Sequence, residues 1–128
     1  DAKILIVDDS KGGRGLYTYT LDQLGYTHLV DVESGEDAID MLGAGYLPKL
    51  ILIDTEMGDG IRGPVACKRI RNAEYGSQIG IIGMSVNPNY QQQWMDAGAD
   101  DFFDKRIFSE SEEVDRRIQA VLAKYQTD

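Results

Sequence analysis

The sequence predicts an α/β fold in which an open, doubly wound parallel sheet of five strands carries helices on both faces. Short apolar runs recur along the chain, and the stretches between them are each long enough for a helix. The run Leu50–Ile53 is almost continuously apolar, as expected of a strand that is covered on both faces. Strands and helices that alternate in this way form a sheet through right-handed crossovers.

Five apolar runs are the predicted strands. They are Lys3–Val7, His28–Val32, Leu50–Ile53, Ile79–Met84 and Asp101–Phe103. The third run is expected to be the central strand, because a strand that is covered on both faces is apolar along its whole length. His28 is interpreted as a strand residue near a sheet edge rather than as a catalytic residue.

Helix boundaries are predicted from residues that favour helix ends. Pro64 and Pro88 lie where a first helical turn begins, and Gly25 and Gly98 lie where a helix ends. Ser34 is followed three positions later by an aspartate, which makes an imperfect capping box for the second helix.

Side chains within the last three helices are expected to serve packing. Cys67 lies among apolar residues. Tyr90 and Trp94, four positions apart on the fourth helix, should share one face, which is either part of the core, the preferred interpretation, or part of an exposed surface that an output partner contacts. Ser109 and Glu112 form a capping box that predicts the start of the last helix. The apolar stripe of that helix should pack on the sheet; it comprises Val114, Ile118, Val121, Leu122 and Tyr125.

Three glycines crowd the first turn of the first helix. Gly12, Gly13 and Gly15 each cost up to about 1 kcal/mol relative to alanine in a helix. Two interpretations stay open, a close approach by a partner or simple tolerance of the glycines.

Composition limits the classes of function. At 128 residues the chain has the size of one domain, which we expect to span residues 1–128. Thirteen basic and twenty-two acidic side chains give a net charge of −9, so the surface repels anionic lipid, and no direct binding of nucleic acid is expected. One cysteine excludes an internal disulfide, and without a membrane-length apolar run or a leader segment we expect a cytoplasmic protein.

Charged and polar residues directly follow the predicted strands. Asp8 and Asp9 follow the first strand, Asp54 the third, Ser85 the fourth and Lys105 the fifth. Because ligands in such sheets bind beyond the carboxyl ends of the strands, these side chains should share one cleft. Three carboxylates repel one another unless a cation lies among them, and oxygen ligands without histidine or cysteine favour Mg²⁺.

The same set of residues fits phosphoryl transfer. An ionised carboxylate such as Asp54 can act as a nucleophile and form an aspartyl phosphate. Lys105 supplies a second positive charge and Ser85 a neutral donor, and catalysis of phosphoryl transfer consists largely of positioning and charge stabilisation. The strand ends therefore predict a Mg²⁺-dependent phosphoryl site.

Four segments resemble the signature segments of the receiver domain of two-component response regulators. They are ILIVDDS from residue 4, LILIDTEM from residue 50, IIGMS from residue 81 and AGADDFFDK from residue 97, in the order and at the spacings usual for that family. The resemblance covers essentially the whole chain and implies a flavodoxin-like sheet with the strand order 2-1-3-4-5. It also implies a phosphoryl donor, the phosphohistidine of a histidine kinase or histidine phosphotransfer protein.

The resemblance assigns roles around the acidic residues. It implies that Asp54 is the phosphoacceptor. It implies that Asp8 and Asp9 bind Mg²⁺, with Asp54 and the backbone carbonyl of Glu56 as further ligands, and it implies no other cofactor.

The resemblance also implies a conformational switch in a signalling protein rather than an enzyme, apart from self-catalysed phosphorylation and dephosphorylation. Ser85 and Lys105 would contact the phosphoryl group. Phe102, three positions before the lysine, matches an aromatic side chain that changes rotamer when the serine moves. The face formed by the fourth helix, fifth strand and fifth helix would then change its contacts with an output domain or protein, or form a homodimer.

Three features depart from the family pattern. The loop after the third strand lacks the usual proline and contains Gly58, Gly60 and Gly63, so we expect its backbone to be more mobile. Arg106 replaces a proline that is normally joined by a cis bond. Because a cis bond without proline costs about 2.5–4 kcal/mol, we predict a trans Lys105–Arg106 peptide. Val86 is bulkier than the usual residue and is expected to narrow access to the acceptor.

Other functions stay open on the residues alone. A pseudo-receiver would use the same fold as a phosphorylation-independent interaction module. A haloacid-dehalogenase-type phosphatase also forms an aspartyl phosphate, but it requires an aspartate two positions after the nucleophile, where this chain has Glu56. A flavodoxin-like flavin protein requires a phosphate-binding loop after the first strand, where this chain has two acidic residues.

Overall fold

One parallel sheet of five strands forms the centre of the computed structural model, which describes residues 2–125. The strands are β1 (Lys3–Val7), β2 (His28–Val32), β3 (Leu50–Asp54), β4 (Gly80–Ser85) and β5 (Asp101–Asp104). Their order is β2-β1-β3-β4-β5, with every neighbouring pair parallel. The predicted α/β class, the central third strand and the implied strand order are confirmed.

Helices cover both faces of the sheet, as predicted. They are α1 (Lys11–Gln23), α2 (Gly35–Gly43), α3 (Gly63–Asn72), α4 (Gln91–Asp96) and α5 (Ser111–Ala123). One apolar cluster contains core residues of α1 and α5, and a second contains core residues of α2, α3 and α4. Strand β1 contributes to both clusters, because Ile4 and Ile6 face the first and Leu5 and Val7 face the second.

Most of the predicted helix boundaries are confirmed. Ser34 Oγ accepts a hydrogen bond of 3.0 Å from the backbone N–H of Asp37 at the start of α2. Pro64 lies in the first turn of α3. Gly25 and Gly98 follow α1 and α4 with φ angles of 98° and 101°, in the left-handed region that glycine adopts without strain.

Two predictions about helix starts are wrong. Ser109 does not cap the last helix; its hydroxyl donates to the carbonyl of Arg106 at 3.0 Å inside a 3₁₀ turn, and α5 begins two residues later. Tyr90 ends a 3₁₀ turn that begins at Pro88, and so it precedes α4 instead of lying within it. In both places the residues that were predicted to belong to the helix start lie instead in a short 3₁₀ turn with its own hydrogen bonds.

Several single-residue predictions are also settled by the fold. Cys67 is fully buried in the second cluster and serves packing. His28 lies on β2, an edge strand. Every peptide bond within the described part of the chain is trans, including the one between Lys105 and Arg106. Among residues 2–125, no helix has both the length and the apolar character needed to cross a membrane.

Trp94 of α4 is a fully buried core residue whose indole fills space left by two glycines. A Cβ atom at Gly83 of β4 would lie 2.1 Å from the indole Cδ2, and one at Gly63 would lie 2.5 Å from its Cζ2. Real Cβ atoms do not approach other atoms so closely, so both positions require glycine. The predicted core role of Trp94 is confirmed, and the indole fixes α4 against β4.

Gly83→Ala tests this packing. Because the added methyl group overlaps the indole of Trp94, we expect the free energy of unfolding to fall by about 1–3 kcal/mol. Urea denaturation measures the change. Gly43→Ala is the matched control, since a Cβ there meets no atom within 4 Å. Equal free energies of unfolding for the two variants would contradict the packing.

Candidate functional site

Three aspartates meet at the carboxyl edge of the sheet. Asp8 and Asp9 follow β1, Asp54 is the last residue of β3, and these strands are neighbours. One carboxylate oxygen from each residue lies within 4.8 Å of the others. Asp8 is fully buried, Asp54 is buried and Asp9 is exposed. The structure therefore brings the predicted acidic residues together and leaves the cluster open on one side.

The ammonium of Lys105 lies between two of these carboxylates. Its Nζ is 2.9 Å from Asp8 Oδ2 and 2.9 Å from Asp54 Oδ1. Lys105 starts the 3₁₀ turn after β5, and only 18% of its side chain is exposed. Three strands thus contribute charged groups to one site, as the parallel topology predicts.

Burial and charge have opposite effects on this cluster. Burial raises the pKa of the Asp54 carboxyl by more than the hydrogen bond from Lys105 lowers it, and the charge of Asp8 adds to the increase. Burial lowers the pKa of Lys105, but the hydrogen bonds and charges of Asp54 and Asp8 outweigh it and leave that pKa raised. Lys105 is therefore protonated at neutral pH.

The donor set fits Mg²⁺. The cluster consists of carboxylates alone, and hard divalent cations prefer such oxygen ligands. Three ionised carboxylates and one ammonium leave two negative charges, which one divalent cation balances.

The predicted switch residues lie on neighbouring strands. Ser85 ends β4 and is buried, and its Oγ accepts a hydrogen bond of 2.9 Å from the backbone N–H of Asn87. Phe102 of β5 is paired in register with Gly83 and is 5% exposed within the second apolar cluster. Val86 is expected to narrow access to Asp54, and its side chain is exposed. The roles assigned to these residues stay predictions.

Glu56 connects the loop after β3 to the turn before α4. Its side chain is exposed, and its Oε1 accepts a hydrogen bond of 3.0 Å from the Tyr90 hydroxyl. The guanidinium of Arg62 lies 5.3 Å from the centroid of the same tyrosine ring. The loop that carries the predicted backbone ligand is therefore in contact with the segment that follows Ser85.

Thr55 is a residue of the site that the sequence analysis missed. Its hydroxyl accepts a hydrogen bond of 2.8 Å from the indole N–H of Trp94 and donates one of 2.7 Å to the carbonyl of Met84. Thr55 directly follows Asp54, and Met84 directly precedes Ser85, so this bridge joins two strand ends of the site. The available signal was the glycine inside the fourth strand, since a strand glycine indicates a close approach by another group.

Comparison with known proteins gives a consistent result. The family profile of the response regulator receiver domain matches residues 4–119. The chain is 33% identical over 103 residues to two-component response regulator 24 of Arabidopsis thaliana, covering 80% of this chain and 73% of that protein. It is 32% identical over 105 residues to transcriptional regulatory protein YvrH of Bacillus subtilis, covering 82% of this chain and 43% of YvrH.

Solved structures share the fold. The receiver domain of the sensor histidine kinase PA1611 from Pseudomonas aeruginosa, solved with a magnesium ion in its active-site cleft, has a TM-score of 0.83 and 24% identity over 95% of this chain and 98% of that chain. The signal receiver domain of a histidine kinase from Syntrophus aciditrophicus has a TM-score of 0.86 and 23% identity, covering 100% of this chain and 95% of its own.

Thr55→Val tests the bridge between the strand ends. Valine has a similar shape but no hydroxyl, so the buried indole N–H loses its acceptor and the free energy of unfolding should fall by about 1–3 kcal/mol. Urea denaturation followed by the fluorescence of Trp94, the one tryptophan of the chain, measures the change. Thr55→Ser keeps the hydroxyl and is the control. A valine variant as stable as the wild type would contradict the bridge.

Proposed function

Because the chain belongs to the response regulator receiver domain family, we propose that it accepts a phosphoryl group on Asp54 and thereby switches a partner protein or output domain. The donor is a phosphohistidine on a histidine kinase or histidine phosphotransfer protein. The proposal depends most on the position of Lys105, whose Nζ lies 2.9 Å from the carboxylates of both Asp54 and Asp8.

Asp54 is the nucleophile of the proposed reaction. One of its carboxylate oxygens forms a bond to phosphorus while the phosphorus–nitrogen bond to the donor histidine breaks, and the electron pair of that bond returns to the imidazole. Lys105 orients the Asp54 carboxylate and keeps an ammonium beside the oxygens of the incoming group. Ser85 supplies a neutral hydrogen-bond donor from the end of β4.

Asp8, Asp9, Asp54 and the backbone carbonyl of Glu56 are the proposed Mg²⁺ ligands. When bound, Mg²⁺ supplies positive charge that offsets the carboxylates and the phosphoryl oxygens. Two observations support this assignment: the close approach of the three carboxylates, and the magnesium ion in the active-site cleft of the similarly folded PA1611 receiver domain.

Signal output is proposed to run through Ser85 and Phe102 to the face formed by α4, β5 and α5. The two residues lie on adjacent strands, where Phe102 is paired with Gly83 and Ser85 with Asp104, and the proposal is that a movement of Ser85 changes the space available to Phe102. Partner binding or homodimer formation through this face would then depend on phosphorylation. In this proposal the protein is a signalling element and not a turnover enzyme.

Asp54→Asn tests the phosphoacceptor. Wild-type protein incubated with Mg²⁺ and acetyl phosphate should gain the mass of one phosphoryl group, whereas the asparagine variant lacks the nucleophile and should gain none. Intact-mass spectrometry measures the product. Asp59→Asn removes an exposed charge from the following loop and should be labelled like the wild type.

The same assay separates the alternative functions. Wild-type protein that stays unmodified would indicate a phosphorylation-independent interaction module. Turnover of an added phosphomonoester would indicate a phosphatase of the haloacid dehalogenase type.

Asp9→Asn tests the Mg²⁺ site separately from the fold. Asp9 is exposed and adds negative charge to the cluster, so the metal-free variant should be at least as stable as the wild type. Mg²⁺ at about ten times its Kd should raise the free energy of unfolding of the wild type by about 1.4 kcal/mol, and that of the variant by much less. Urea denaturation with and without Mg²⁺ measures both.

Asp59→Asn is again the matched control, because it removes the same charge from an exposed position outside the cluster. It should respond to Mg²⁺ like the wild type. If Asp9→Asn responds equally, the metal binds elsewhere.

A further inference from the structure

Tyr17 of α1 lies against the lysine of the site, although neither its position nor its residue type was singled out in the sequence. The side chain is buried, and its ring centroid is 5.6 Å from Lys105 Nζ. The ring also packs against Phe108, with 4.5 Å between the two centroids. Contacts in the first apolar cluster therefore fix the orientation of the tyrosine.

The hydroxyl of Tyr17 and the carboxylate of Asp8 both lie next to Gly13, which has no side chain. A Cβ atom at Gly13, one helical turn earlier, would lie 3.2 Å from the Tyr17 hydroxyl oxygen and 3.3 Å from Asp8 Oδ2. The hydroxyl and the carboxylate therefore border the same small space. This close approach is an intramolecular reason for a glycine at position 13.

The hydroxyl is electrostatically coupled to the charged groups of the site. Burial raises the pKa of Tyr17, the charge of Lys105 lowers it, and the charges of Asp8 and Asp54 raise it. A lysine ammonium has three N–H donors and no acceptor. Asp8 and Asp54, each 2.9 Å from Nζ, engage the ammonium from two directions. The Tyr17 ring lies beside the same ammonium, with its centroid 5.6 Å from Nζ.

We propose that Tyr17 is a positioning residue of the phosphoryl site, holding the Lys105 ammonium in its place between Asp8 and Asp54. The inference rests on the proposed function, because the ammonium must meet the oxygens of an incoming phosphoryl group. Lysine carries its charge on a flexible four-carbon stem. The hydroxyl and the ring of Tyr17 hold the ammonium before the phosphoryl group arrives. The lysine side chain therefore loses less conformational freedom when that group binds.

The test is Tyr17→Phe, which removes the hydroxyl and keeps the ring that packs against Phe108. Beryllofluoride, a mimic of a phosphoryl group, is titrated calorimetrically into Mg²⁺-saturated protein. We expect its affinity to fall about fivefold, the change that corresponds to one polar contact of ordinary net strength. The affinity for Mg²⁺ alone should stay within about twofold, since one polar contact near Lys105 contributes little to the metal ligands.

Gly13→Ala is a second, independent variant. Its methyl group enters the space between the Tyr17 hydroxyl and Asp8, so beryllofluoride should again bind more weakly even though alanine favours the helix. Gly15→Ala is the matched control, because it has the same effect on helix propensity and its Cβ meets no atom within 4 Å. The control should bind beryllofluoride with wild-type affinity.

Two results would overturn the inference. In one, Tyr17→Phe binds beryllofluoride as tightly as the wild type. In the other, its melting temperature and its Mg²⁺ affinity fall in parallel with its beryllofluoride affinity, as expected of a residue that only supports the fold. A wild-type protein that binds no beryllofluoride in Mg²⁺ would instead overturn the proposed function, and the role of Tyr17 with it.

Discussion

The contact of one ammonium with two carboxylates is the interaction on which the rest of the structure depends. Moving a carboxylate out of water costs several kcal/mol unless a partner compensates it, and Asp8 is fully buried. Lys105 compensates Asp8 and Asp54 together, and the backbone N–H of Ser10 donates a further hydrogen bond of 2.8 Å to Asp8 Oδ1. The first strand can therefore end in a charged residue that the core covers.

The connections around β1 keep this arrangement in place. Arg14 of α1 donates to the carbonyl of Asp8 at 2.6 Å and pairs with Asp31 of β2 at 2.8 Å. Ser10 caps α1 by accepting a hydrogen bond of 3.1 Å from the N–H of Gly13. The first turn of α1 is thus fixed to the strand end that carries the acidic pair. Because the charge of Arg14 is already paired with Asp31, Lys105 is the cation that faces the cluster among the contacts described.

The sequence predicted the convergence of Asp8, Asp54 and Lys105 because each residue lies at the end of an apolar run, and the ends of parallel strands meet at one edge. It did not predict the bridge from Trp94 to Thr55, whose partners are 39 positions apart and meet only through packing of α4 on the sheet. Ser109 matched the pattern of a helix cap, but its hydroxyl donates instead to the carbonyl of Arg106 within a 3₁₀ turn. Local patterns therefore identified strand ends well, but they missed a long-range hydrogen bond and a local 3₁₀ turn that replaced a helix cap.

Two glycines inside regular secondary structure mark places where an aromatic side chain packs closely, which the apolar and capping patterns do not show. Gly83 lies inside a strand, and the indole of Trp94 uses the space that a Cβ would fill there. Gly13 lies inside a helix, and a Cβ there would approach the Tyr17 hydroxyl to 3.2 Å. Each aromatic residue brings one polar group to the site, and the two belong to opposite faces of the sheet. The strand ends are thus held from both sides. Because β3 and β4 also contribute residues to both apolar clusters, a displacement of either strand at the site must disturb packing on both faces of the sheet. This packing couples the buried acidic site to the helices on either surface.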